Sequence, residues 1–166
     1  MQLDLHTGPE EDFDITSPRQ PLTLVCVDGS EESDRALRWA MRNLPDKHGL
    51  MLIHGVKIPY SASLEIHPHK AEDMREHDRL VQRYRRICQE NGRRCGMAHF
   101  HYQRGDAFGD GVCSYARLRG AQAVVTGRRT NISNARRAVF GSGSQYVLQH
   151  CEDIPVTVVS TEEQSD

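Results

Sequence analysis

The chain has little that announces a chemistry. It carries no Gly-x4-Gly-Lys-Ser/Thr phosphate loop, no Gly-x-Ser-x-Gly elbow and no Cys-x-x-Cys pair. Nucleotide binding through a P-loop, α/β-hydrolase chemistry and a zinc ribbon are therefore not expected. No apolar run approaches the ~20 residues that cross a bilayer. Excess positive charge is missing too: 21 basic against 23 acidic residues leave a net charge of −2, whereas a dedicated nucleic-acid binder is strongly basic. The first residues lack the basic-then-apolar layout of a signal peptide, which gives the expectation of a cytoplasmic protein. Five cysteines (Cys26, Cys88, Cys95, Cys113, Cys151) form an odd, scattered set. That pattern predicts reduced thiols packed as small apolar residues rather than a disulfide framework. Of nine histidines, His67 and His69 flank Pro68 without carboxylate or cysteine partners at ligand spacing, and read as exposed loop residues rather than metal ligands. The sequon Asn131-Ile132-Ser133 has no meaning in a cytoplasmic chain.

What is present suits one soluble domain: 166 residues, 37% apolar and 27% charged. Residues 1–19 are acidic, aperiodic and hold two prolines, and read as a mobile tail, as does the acidic stretch 161–166. Between them, residues 20–160 alternate strand and helix. Leu22 to Val27 is apolar on nearly every residue, as strands covered on both faces are. Ser30 then offers an N-cap, with Glu31 and Glu32 at the positive end of a helix striped by Ala36, Leu37, Ala40, Met41 and Leu44. Leu50–Val56 predicts a second strand, and Met74, His77, Leu80, Val81, Tyr84, Ile87 and Cys88 recur at helical spacing over 70–91. The charges among them, Arg75 to Arg86, read as a solvated face. Met97 to Tyr102 predicts a third strand, and Val112, Tyr115, Ala116 and Leu118 a short helix weakened by Gly109 and Gly111. A fourth strand at Ala123–Val125, a helix carrying Tyr146, Val147, Leu148 and Cys151, and a fifth strand at 154–159 complete the alternation. It predicts an α/β fold with a parallel sheet and helices on both faces.

Ligands of such sheets bind beyond the carboxyl ends of the strands, where the strand order reverses. Two loops there carry ligand chemistry. Asp28-Gly29-Ser30 follows the first strand. After the fourth, Gly127 opens a loop with Arg128, Arg129, Arg136 and Arg137 that closes on Gly141-Ser142-Gly143-Ser144. Small residues opening a helix leave N–H groups free for an anion, and the helix dipole favours it there. Together the two loops suggest a phosphate or nucleotide site. No catalytic set stands out; a Ser30, His54 and Asp28 triad can be drawn, but nothing in the sequence brings it within hydrogen-bond reach.

The run Val27-Asp28-Gly29-Ser30-Glu31-Glu32-Ser33-Asp34-Arg35-Ala36-Leu37 resembles the first strand-to-helix turn of universal stress proteins. Val124-Val125-Thr126-Gly127-Arg128-Arg129, Gly141-Ser142 and Ile154-Pro155-Val156-Thr157-Val158-Val159 are similar to that family's C-terminal signature. The resemblance implies a single doubly wound, Rossmann-like domain whose five-stranded parallel sheet runs 3-2-1-4-5, often dimerised along the fifth strand. In the ATP-binding branch it implies an adenine nucleotide, with Mg2+ as its companion. By position, Asp28 would face the nucleoside and the backbone of Gly55 the adenine. Thr126 and Gly127 would line the ribose and phosphate side, and Gly141, Ser142 and Gly143 would cradle the phosphates, with Arg136 and Arg137 available to them. The family's nucleotide pattern is Gly-x2-Gly-x9-Gly-Ser/Thr. Here Thr130 holds the second glycine position, and ten residues rather than nine precede Gly141. The leading expectation is a regulatory ATP-binding module of the stress response, a homodimer through 154–159, with slow or no hydrolysis and no nucleic acid or membrane partner. The alternative is a nucleotide-free dimeric adaptor of the same fold. A nucleotidyltransferase or ATP pyrophosphatase ranks last, since the His-x-Gly-His and Ser-Gly-Gly-x-Asp-Ser signatures are missing.

Overall fold

The computed structural model describes residues 20–57, 69–103, 105–128 and 142–160. Five strands, β1 (Leu22–Cys26), β2 (Gly49–Lys57), β3 (Cys95–Tyr102), β4 (Ala123–Gly127) and β5 (Val156–Val159), alternate with four helices, α1 (Glu31–Asn43), α2 (His69–Glu90), α3 (Gly105–Leu118) and α4 (Ser142–His150). The strands form one sheet in the order β3-β2-β1-β4-β5, and every pair is parallel. The doubly wound arrangement expected from the alternation is the one observed.

Side-chain alternation along the strands divides the core in two. Leu24, Cys26, Met51, Ile53, Ala98 and Phe100 face α3 and α4, packing against Val112, Tyr115, Ala116 and Val147. Val25, Val27, Leu50, Leu52 and Val125 face α1 and α2, packing against Ala36, Leu37, Ala40, Leu80 and Tyr84. Burying both faces explains why β1, β2 and β4 show almost no polar alternation. Each large aliphatic side chain so enclosed contributes about 1.5–3 kcal/mol.

Helix ends follow local chemistry. Ser30 caps α1, its hydroxyl accepting from the Ser33 N–H at 3.3 Å, with Glu31, Glu32 and Asp34 in the first turn. The other end of α1 is closed by a residue from far along the chain. Arg93, 7% exposed, donates to the carbonyls of Leu44 (2.9 Å), Pro45 (3.1 Å) and His48 (3.2 Å), and pairs with Asp46. A buried guanidinium is tolerable only when its donors are satisfied in this way.

Three expectations are corrected, and one gains a reason: Gly109 and Gly111, unfavourable for α3 by propensity, allow it to dock. A Cβ at Gly109 would sit 2.2 Å from the Tyr146 carbonyl oxygen of α4, and one at Gly111 would sit 2.4 Å from the Phe100 ring. The cysteines are not all reduced: Cys88 bridges Cys95, Cys113 bridges Cys151, and Cys26 is the free thiol. The first bridge ties the end of α2 to the start of β3, and the second ties α3 to the end of α4. The last strand begins at Val156, and Ile154 lies in the core under α3 and α4. Finally, His69 opens α2 rather than lying in a loop, whereas His67, the sequon at 131–133 and both tails lie outside the described residues.

Candidate functional site

Where β1 and β4 part to opposite faces of the sheet, their carboxyl ends border a cleft of about 370 Å3. Its polar lining comes from Asp28, Ser30, Glu32, Ser33, Thr126 and Ser144, with Gly127 and Gly143 presenting bare backbone. At the other end lie Gly55, Lys57, Tyr102, Phe108 and Tyr146. That volume and a lining that combines aromatic rings with polar side chains and bare backbone suit a small organic ligand.

The polar end is built by a turn that the sequence specifies locally. The Asp28 carboxylate accepts from the Ser30 N–H at 2.9 Å and from the Ser30 hydroxyl. An Asp two residues before its donor forms an Asx turn, which carries the chain from β1 into α1. Gly29 stands at φ +81°, where L side chains are strained, and a Cβ there would also lie 2.8 Å from Leu80. Gly127 meets the other side of α1, since its Cβ would fall 2.3 Å from the Glu32 carbonyl oxygen. Glycine at 127 therefore lets β4 and the first turn of α1 close on each other at the edge of the cleft.

The turn is held from behind by α2. Tyr84, fully buried, accepts the Gly29 N–H at 2.9 Å and lies 2.9 Å from the Ser33 hydroxyl. Ser33 also donates to the Ser30 carbonyl at 3.0 Å, and in its contact with Tyr84 either hydroxyl can be the donor. Burial above all pushes the Tyr84 phenol up to about 12, the Asp34 charge adding to it against the Ser33 hydrogen bond, and the phenol stays protonated. Arg83 donates to the Gly29 carbonyl at 2.8 Å and pairs with the buried Asp34 carboxylate. Arg83 lies on the exposed face that the sequence suggests, and from there it also braces the turn.

The aromatic end rests on glycine as well. A Cβ at Gly55 would lie 2.8 Å from the Phe108 ring and 3.1 Å from Tyr102, and one at Gly143 would lie 3.6 Å from Phe108. Phe108 thus stands between the end of β2 and the first turn of α4, its ring centroid 5.4 Å from Tyr102 and 5.7 Å from Phe100.

Of the residues singled out from the sequence, Asp28, Gly55, Thr126, Gly127 and Gly143 line this one cleft. Ser142 opens α4, whose Gly143 and Ser144 also line it. Arg136, Arg137 and Gly141, with Thr130, lie outside the described residues. The Ser30–His54–Asp28 triad is not assembled: Ser30 bonds Asp28 directly, while His54 Nδ1 lies 3.0 Å from the Val27 carbonyl oxygen. Cys26 lines the cleft, but burial, with the Asp28 charge and against a hydrogen bond from Thr126, pushes its thiol up to about 12 and removes it as a nucleophile. Among the described residues no group of three or more His, Cys, Asp or Glu is arranged to hold a metal ion. No helix among them is long and apolar enough to cross a membrane.

Sequence reasoning missed Lys57, Tyr102, Phe108 and Tyr146, which no motif marks, and the support given by Tyr84 and Arg83. A tyrosine on the apolar stripe of α2 was the available signal, because a buried phenol needs a partner.

Comparison with known proteins places this architecture. No curated protein matches the chain. Among solved structures, a universal stress family protein from Arabidopsis thaliana with AMP bound is 18% identical, over 87% of this chain and 94% of that one, with a TM-score of 0.59. One from Burkholderia pseudomallei is 19% identical over 84% and 96%, with a TM-score of 0.63. One from Archaeoglobus fulgidus in complex with dAMP is 20% identical over 84% and 97%, with a TM-score of 0.58. At such identities the likeness speaks for the fold. The sequence profile of the universal stress protein family matches residues 23–160, and on that match the chain belongs to this family.

Proposed function

We propose that the protein is a regulatory module of the stress response that binds an adenine nucleotide, ATP, in the cleft between β1 and β4, with slow or no hydrolysis. The observation that carries this reading is the convergence of the Asp28 turn, Thr126, Gly127 and the glycine-bearing start of α4 on one cleft at the point where strand order reverses. Related structures hold AMP, dAMP and cAMP. Asp28 accepts from ribose hydroxyls, the backbone at Gly55 meets the adenine, and the backbone from Gly141 to Gly143 donates to phosphate oxygens. Arg136 and Arg137 add bidentate contacts to the phosphates, offsetting the loss of the glycine that Thr130 replaces. Mg2+ would accompany the triphosphate, with Glu32 as the second carboxylate lining the cleft. The module acts as a homodimer paired along β5.

Titration calorimetry with ATP tests this. Wild type is expected to bind with Kd on the order of 10–100 μM. Asp28→Ala should lose about 1.5–3 kcal/mol, the range for hydrogen bonds to a charged group. Asp28→Asn keeps an oxygen for the Ser30 N–H, so it separates loss of the turn from loss of the ligand contact. Equal affinity in all three would leave Asp28 only its capping role. A nucleotide-free dimeric adaptor is the second reading, favoured by Thr130 and the longer loop before Gly141. Wild type with no binding heat would select it.

A further inference from the structure

The cleft turn is braced by a helix, α2, none of whose described side chains lines the cleft. Tyr84 and Arg83 are neighbours on α2, and they hold opposite ends of one residue, Gly29. The phenol takes its N–H at 2.9 Å and the guanidinium gives to its carbonyl at 2.8 Å. From the same two residues, contacts run on to α1, through Tyr84 to Ser33 and through Arg83 to Asp34. Ser33 Oγ in turn accepts the Asp28 N–H at 3.3 Å. All three residues of the turn, together with the first turn of α1, are therefore fixed by a hydrogen-bond network anchored on α2. The bracing is costly to release. Tyr84 is fully buried, Asp34 is 6% exposed, and Asp34 Oδ1 has no hydrogen-bond partner, so its carboxylate depends on Arg83.

We propose that Tyr84 and Arg83 are positioning residues for the nucleotide, setting the geometry of the Asp28–Ser30 turn and coupling occupancy of the cleft to the docking of α2. This rests on the reading of the cleft as a nucleotide site. By linkage, a helix that improves the site when docked is itself held more firmly when the site is filled. Ligand binding inside the sheet crevice thereby reaches the outer face of the molecule, where α2 exposes Arg75, Glu76, Asp78, Arg79, Arg85 and Arg86.

The test uses Tyr84→Phe, which keeps the ring in its buried seat and removes only the hydroxyl. Arg83→Lys keeps the charge but offers one ammonium where the guanidinium serves two acceptors. Ile87→Ala, a half-buried α2 residue that makes none of these hydrogen bonds, controls for lost stability alone. ATP affinity and hydrogen exchange over residues 75–90 are measured for each with and without saturating ATP. The expected result is an affinity about tenfold weaker in Tyr84→Phe, the scale of a hydrogen bond lost from the turn, and unchanged in Ile87→Ala. Arg83→Lys should fall between them. Added ATP should slow exchange across α2 in wild type and in Ile87→Ala but not in Tyr84→Phe. If wild type binds ATP and Tyr84→Phe binds it as tightly, or shows the same ATP-dependent protection of α2, the positioning role is overturned. If wild type binds no nucleotide, the reading of the cleft falls first and takes the positioning role with it.

Discussion

Four histidines gather where α2 crosses the ends of β2 and β3. His77 on α2 stands over His99 with ring centroids 4.0 Å apart and near His54 at 6.5 Å, and His101 lies 5.6 Å from His99. Burial is the largest influence on His77 and lowers its pKa below 6.5, with charge on His54 and His101 acting the same way and Asp78 opposing them. The unfolded chain thus takes up this proton at a higher pH than the folded one. Between the two pKa values the unfolded state holds more protons, so stability rises with pH. The contribution is complete above pH 6.5 and is lost as pH falls through the folded value. The melting temperature should therefore drop as pH falls below 6.5, and drop less in His77→Gln. A wild-type profile that is flat or rises toward acid in that window would contradict the account. At this scale the sequence was legible where the chemistry is local. The Asx turn at Asp28 and the Ser30 cap involve neighbours two or three residues apart. Tyr84 and Gly29 are 55 residues apart, and nothing local shows that contact.

The elements were more legible than their junctions. Strands covered on both faces and helices with one apolar stripe have patterns that short-range periodicity exposes, and the boundaries of β1, β2, α1 and α2 differ from expectation by a residue or so. Helix α3 shows where that reasoning fails. Propensity alone counts Gly109 and Gly111 against it, but close approach to α4 and β3 outweighs propensity. Strand β5 carries an element-scale prediction. Among the described residues it pairs with β4 alone, and Val156, Thr157 and Val158 are half-buried at the sheet edge. An apolar edge left open is a template for pairing, and a second copy across a two-fold axis would cover it. We expect a dimer at roughly tens of micromolar, converted to monomer by Val158→Lys with the fold retained. Sedimentation of wild type as a monomer at that concentration would remove β5 as the interface.

For the whole molecule, alternation and right-handed crossovers narrow the winding to a few, the family resemblance implies the order 3-2-1-4-5, and the cleft lies where that order reverses between β1 and β4. The disulfides do not follow from these. Cys113 and Cys151 meet only because α3 and the end of α4 pack together, and their separation of 38 residues offers no spacing to read. In the chain-entropy picture that bridge contributes about 4 kcal/mol and the shorter Cys88–Cys95 loop about 2.5 kcal/mol. The reduced-thiol expectation failed because it weighed motif spacing without knowing distances. The central claim is that the chain holds a nucleotide where β1 and β4 diverge, and amide NMR during titration with ATP tests it most directly. The account predicts saturable shifts concentrated at Asp28 to Ser33, Gly55, Gly127, Gly143 and Ser144, with smaller ones along α2 at Arg83 and Tyr84. Shifts confined to the exposed face of α2 or to β5, or a spectrum unchanged at about 1 mM ATP, would contradict it.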